Sequence, residues 1–283
     1  MRFYAYRVTF LFNDRSERGK LRFTGPQRAW FLHQILTQAF EDMGPGESRD
    51  AAKLTAHGRM TGYMEFVATE DALFCHFEPE LKETLPEEIR RYVFATQVVI
   101  DDVSDEYGLV LIVGERWREA VVTAGAVEQE TRSLGPAAGY VWVPAASRPE
   151  VLEQLSSSGA REATEDDLER MRIDNAVPRW GREMDVKTFP QETGIDSWAV
   201  HYDKGCYVGQ EAMAKIHFRG KVNRRLAKLE GDRLRRGEDI IDEGVKVGIV
   251  TSAQGDKGLA LVRYTVEPGA EVEVGASRAK VVS

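Results

Sequence analysis

The sequence predicts an α+β chain that ends in a small antiparallel barrel. Strand-like apolar segments alternate with helical ones through the first 228 residues, and Gly-punctuated short strands take over after Lys228. The length of 283 residues allows two or three packed units and a sizeable core.

From the N-terminus, Arg2 to Phe12 and Leu21 to Phe23 read as strands joined by the polar turn NDRSERGK. Pro26 opens a helix with Leu32, Ile35, Leu36, Ala39 and Phe40 at helical spacing, and MGPGES breaks it. Lys53 to Phe77 reads as a hairpin or meander with turns at His57-Gly58 and at Thr69 to Asp71, followed by a helix from about Pro79 to Tyr92. VVIDDV and YGLVLIVG are strand-like. The chain loosens from Gln129 to Gly139, and GYVWVP returns to strand. SRPEVLEQLSSSG forms a helix closed by Gly159, and another helix runs from Glu165 to Asn175. The tail segments DIIDEG, VKVGIVTSAQGDKG, LALVRYTVEPG, AEVEVG and AKVVS have the spacing of a barrel or sandwich. The boundaries expected are 1–228 for two interleaved α/β subdomains and 229–283 for the barrel.

Apolar residues make up 42% and charged residues 30%, an ordinary globular composition. A net charge of -8 excludes a general binder of nucleic acid or membrane surfaces, which needs attraction to phosphate. With two cysteines, Cys75 and Cys206, one chain can build neither a disulfide framework nor a four-cysteine metal cage, which suits a reducing, cytoplasmic setting. The opening MRFYAYRVTFLF carries Arg7 and no small-residue cleavage site, so it reads as a strand and not a signal peptide. No apolar run reaches the length of a membrane span. The histidines His33, His57, His76, His201 and His217 show no HxxxH or HxH pairing, and no metal site is expected.

The sharpest local feature is KGCYVGQE, Lys204 to Glu211. Two glycines around Cys-Tyr-Val leave a thiol accessible just before a helix start, whose positive end favours thiolate. If the segment is extended, Lys204 and Cys206 share a face, and the ammonium acts in the same direction. The competing reading is that Cys206 is a small buried hydrophobe, as most free cysteines are. Cys75, inside ALFCHF, fits that description and is assigned no role. Between Lys215 and Arg236 nine Lys or Arg face only Glu230 and Asp232, which reads as a solvated strand face or an anion-binding rim. No aromatic interleaving of the kind that stacks bases accompanies these charges, so tRNA is not an expected partner.

FPQETGIDSWAVHYDKGCYVGQE strongly resembles the YgfZ family of folate-binding proteins, whose hallmark is K-G-C-[FY]-x-G-Q-E preceded by P-Q-E. GPQRAWFLHQILT, LTAHGRMTGYM, RIDNAVPRWGREM, VGIVTS and GLALVRY extend the resemblance more weakly along the chain. That family shares its fold with the glycine-cleavage T-protein, which carries no cysteine in the corresponding motif. The resemblance implies an aminomethyltransferase-like fold, tetrahydrofolate or a one-carbon derivative as cofactor, and iron–sulfur client proteins as partners. It implies a site in which Cys206 is the reactive thiol, Lys204 assists it and Asp174 accepts the pterin N–H groups. Tyr63 would line the ring, and Arg219 would meet the folate tail. The expected function is that of an accessory factor for iron–sulfur cluster assembly or repair. The alternatives are a folate-dependent aminomethyltransferase or demethylase, and a scaffold that docks clients with folate as a structural ligand.

Overall fold

The computed structural model describes residues 10–283 except 122, 136 and 221, and except the side chain of Arg219. The strand expected from Arg2 therefore lies outside the described residues up to Thr9, and β1 (Leu11–Asp14) is its described continuation. The chain then builds β2 (Gly19–Thr24), α1 (Arg28–Ile35), β3 (Ser48–Leu54), β4 (Met60–Ala68), β5 (Leu73–Phe77), α2 (Thr84–Arg90) and β6 (Val99–Asp102). There follow β7 (Tyr107–Val113), β8 (Val127–Glu130), β9 (Ala138–Pro144), α3 (Arg148–Ser157), β10 (Arg161–Glu162) and α4 (Glu165–Asp174). The short helices α5 (Pro190–Thr193) and α6 (Asp196–Ala199) and the longer α7 (Gln210–Arg219) lead to the tail. The tail comprises β11 (Arg224–Gly231), β12 (Asp239–Asp242), β13 (Val245–Gln254), β14 (Lys257–Arg263), β15 (Glu271–Val274) and β16 (Ser277–Val281).

These strands form two five-stranded sheets, β10-β1-β7-β9-β8 and β3-β4-β5-β2-β6, and a closed barrel β11-β14-β13-β12-β15-β16. In sequence, the second sheet is inserted between β1 and β7 of the first. The barrel starts at Arg224, five residues before the expected boundary at 229.

The two sheets pack face to face. Leu109, Leu111, Tyr140 and Trp142 of the first meet Val67, Ala72 and Phe74 of the second, with Phe74 and Trp142 edge-on at 5.5 Å. The opposite face of the second sheet, with Leu21, Phe23, Phe66, Cys75 and Phe77, is covered by residues of α1 and α2. Gly62 of β4 lets α2 approach, since a Cβ there would lie 2.6 Å from Leu85.

Two local departures have clear causes. α1 stops at Ile35 instead of running on to Phe40, because Leu36 turns extended and forms a bridge with Lys53 of β3. Leu36, Ala39 and Phe40 remain buried, so their apolar spacing reports burial without a helix. Of the helix expected from Pro79 to Tyr92, a 3-10 turn at Pro79–Leu81 and α2 are formed.

Two polar clusters are prominent among the contacts that hold the barrel. Arg172 of α4, buried, donates to Glu183 Oε2 at 2.8 Å and to Ser252 Oγ of β13 at 2.6 Å, and that hydroxyl donates to Glu183 Oε1 at 2.7 Å. Glu192 of α5 accepts two bonds from Arg224 of β11, at 2.9 and 3.1 Å.

Candidate functional site

Asp50 in β3, Glu65 in β4, His76 in β5 and Lys20 in β2 are successive cross-strand partners, so one ladder row across the second sheet is entirely polar. Cross-strand partners share a face, and this row looks toward the first sheet. All four side chains are buried. Lys20 Nζ is held by the Ser16 and Arg18 carbonyls at 2.7 and 3.0 Å, and burial lowers its pKa to about 8. His76 sits 4.3 Å from the Tyr140 ring and burial keeps it neutral. Glu65 takes bonds from Arg18 at 3.3 Å, from Ser133 at 2.7 Å and from Thr131.

The row ends at β3, an edge strand, where a cavity of about 810 Å³ opens. Its walls include Arg49 and Asp50, Trp117 and Arg118, Thr131 and Arg132, the segment Asn175 to Val177, Trp198 and His201. Asp50 Oδ2 accepts from the Tyr63 hydroxyl at 2.7 Å, and that hydroxyl accepts from Trp198 Nε1 at 3.1 Å. Burial raises the Asp50 carboxyl from the usual carboxylate range to about 7, and Glu65 opposite adds to it, while Tyr63, Arg132 and Arg18 act the other way. Like charges directly opposite are unfavourable. Glu65 has a guanidinium and two hydroxyls to support its charge and Asp50 a single phenol, so the shared proton belongs on Asp50.

Among the residues expected from sequence, Tyr63 stands behind the cavity wall, bonded to Asp50, and is not itself a lining residue. Asp174 lies elsewhere: it ends α4, and its carboxylate pairs with Lys257 of β14 at 2.6 Å, facing the barrel. Asn175 to Val177, immediately after it, reach the cavity. The Arg219 side chain lies outside the described residues.

The KGCYVGQE segment docks beside the cavity. Cys206 is exposed, four residues before α7, and is not among the cavity-lining residues. The extended geometry that would set Lys204 beside Cys206 does not form, because residues 202–205 turn and bend. Lys204 instead plunges inward, and its Nζ donates to the carbonyls of His33, Leu36 (2.6 Å) and Gln38 (2.9 Å), closing the C-terminal end of α1. Burial pulls its pKa down to about 7, and three carbonyl oxygens around three ammonium protons oppose that pull. Lys204 is thus an anchor for the loop. Of the two motif glycines, Gly209 has a backbone need: its φ is +87, and a Cβ there would lie 2.5 Å from the Thr55 carbonyl oxygen, while Gly205 has open surroundings. Burial pushes the Cys75 thiol far up.

Sequence reasoning missed Asp50 and Glu65. The available signal was one acid in each of the segments DAAKL and YMEFV, which are mostly apolar apart from Lys53. Among the described residues no three His, Cys, Asp or Glu gather as metal ligands, and no helix is long and apolar enough to cross a membrane.

No family model matches the chain. An aminomethyltransferase of Rubrobacter xylanophilus is 27% identical over 92% of this chain and 77% of its own length. The tRNA-modifying protein YgfZ of Cronobacter sakazakii is 26% identical over 77% of this chain and 71% of its own. A mitochondrial iron–sulfur cluster assembly factor homolog of Mycosarcoma maydis is 28% identical over 50% of this chain and 34% of its own. The crystal structure of the glycine cleavage system aminomethyltransferase T from Bartonella henselae superposes with a TM-score of 0.87 at 16% identity, covering 98% of this chain and 86% of that one. The chain therefore has the α+β fold of that aminomethyltransferase, C-terminal barrel included.

Proposed function

We propose that this protein binds a reduced folate in the cavity between its two sheets and serves iron–sulfur cluster assembly or repair, with Cys206 as its reactive thiol. The observation that carries the reading is the cavity wall, which brings a carboxyl acceptor, aromatic surface and arginines together. A pterin offers an amino group and a ring N–H side by side, and Asp50, with Tyr63 and Trp198 behind it, provides a carboxyl acceptor beside aromatic surface. The glutamate tail needs cations, and Arg49, Arg118 and Arg132 line the same cavity. Relatives named for iron–sulfur cluster assembly and as YgfZ support the cluster role, and the resemblance of KGCYVGQE supports the thiol. Asp174 would then act indirectly, by seating α4 on the barrel.

A bound folate supplies a one-carbon unit or its acceptor. The chain's own residues orient the ring, exclude water between the sheets, and hold a proton on Asp50. In this reading Cys206, exposed outside the cavity, is the group that meets a client. The second reading, folate-dependent aminomethyl transfer, is favoured by the aminomethyltransferase relative that spans 92% of the chain.

Deletion of the gene, followed by assay of iron–sulfur enzymes, tests the proposal. Wild type should restore those activities and Cys206→Ala should not. Full rescue by Cys206→Ala, with turnover of a lipoylated aminomethyl carrier by the purified protein, would favour the second reading.

A further inference from the structure

We propose that Asp50 is the residue by which the cavity recognises the edge of its ligand's ring, and that binding of a ring with adjacent N–H and amino donors expels a proton from Asp50 to solvent. This rests on the folate reading and narrows it to one residue.

The polar row across the second sheet supplies the geometry. Lys20 is closed off by backbone carbonyls, Glu65 by Arg18, Thr131 and Ser133, and His76 is enclosed between the sheets. Only the last member, on the edge strand, lines the cavity. One Asp50 oxygen accepts from Tyr63, and no donor among the described residues reaches the other. A buried carboxylate short of donors and opposite a second carboxylate is better off protonated. The groups facing it are Tyr63 and Glu65 from β4, Arg18 from the β1–β2 turn and Arg132 from the loop before β9, and the two cations do not offset burial and Glu65. A ring edge presenting two donors supplies the missing hydrogen bonds to the ionised form. The carboxyl O–H bond then breaks, its electron pair stays on Asp50, and the proton leaves to buffer.

Calorimetry with tetrahydrofolate kept reduced under anaerobic conditions, in buffers of different ionisation enthalpy from pH 6 to 8.5, reads both affinity and proton release. Wild type should release close to one proton per ligand at the acid end and none at the alkaline end. Its affinity should rise with pH, by up to roughly tenfold per pH unit, before levelling off. Asp50→Asn, nearly isosteric, should bind roughly ten- to hundredfold more weakly at the alkaline end and release no proton. Tyr63→Phe removes a hydrogen bond that favours the ionised carboxylate, so the inflection should move to higher pH. Binding by wild type without proton release, or equal affinity and pH profile in Asp50→Asn, would overturn this inference and leave the folate reading standing. Failure of wild type to bind tetrahydrofolate would overturn both.

Discussion

Replacing Arg172 with methionine should destabilise the protein by about 3 kcal/mol, the low end of the range for breaking a buried ion pair. The guanidinium is 4% exposed and Glu183 is 1% exposed, at 2.8 Å. Methionine fills the methylene volume but leaves the Glu183 carboxylate buried. That carboxylate keeps the Ser252 hydroxyl at 2.7 Å and the Arg179 backbone N–H at 3.0 Å, which is why the low end applies. Glu169, the other carboxylate on Arg172, is half-buried and can rehydrate. For a chain of this size the melting temperature should fall by roughly 6–12 °C. Replacing both partners, Arg172→Met with Glu183→Met, removes the stranded charge and should be less harmful than Arg172→Met alone. Urea denaturation of the four proteins closes the cycle. A single-variant loss under about 1 kcal/mol, or a double variant that costs the sum of the singles, would refute the view that this pair is a buried lock where α4 meets the barrel.

Iodoacetamide should modify exposed Cys206 much faster than Cys75, whose thiol is buried and pushed up; equal rates in the folded protein would remove Cys206 from consideration. Lys204→Met should lower the melting temperature while leaving the Cys206 labelling profile close to wild type, because the ammonium is spent on the carbonyls of α1 and Gln38. A large change in labelling without loss of stability would reverse that assignment. Asp50 also ties stability to pH. Its carboxyl titrates near about 7 folded and near 3.8 unfolded, so its favourable contribution is complete below 3.8 and is lost as pH rises through 7. Asp50→Asn should therefore match wild type near pH 4 and exceed it at pH 8, by at most about 4 kcal/mol, and a constant difference across that range would count against the shifted carboxyl.

The parts of this structure legible in the sequence are those encoded by local pattern. Glycines spaced through the tail mark the barrel turns, the two turns at His57-Gly58 and Thr69 to Asp71 mark the meander β3-β4-β5, and Thr164 to Asp174 carries its own capping box. What escaped depends on distant residues. Lys204 reads as a neighbour of Cys206 because they are two apart, yet its acceptors are 166 to 171 positions away. Asp50 lies just ahead of the segment that reads as strand from Lys53, and its setting emerges only once the register puts it opposite Glu65 and the edge of β3 meets the cavity. β8 escaped for a related reason: VEQE has little apolar character, and it becomes a strand because the β9 backbone needs a partner on that side.

The insertion of the second sheet between β1 and β7 constrains the order in which the protein can assemble on the ribosome. β1 emerges first, but its antiparallel partner is β7 and its parallel partner is β10, and the bond from Asn13 Nδ2 to the Ala163 carbonyl spans 150 residues. The inserted sheet has all five of its strands in hand by Asp102 and can close while β1 still waits unpaired. The outer sheet then folds around a finished inner one, like brackets closed from the inside. Long-range pairing of this kind carries a high loop-closure cost and slows folding. The cavity draws its walls from both brackets, β3 from the inner and Thr131, Arg132, Gly135, Ala138 and residues 175–177 from the outer, so it can form only once the outer one closes.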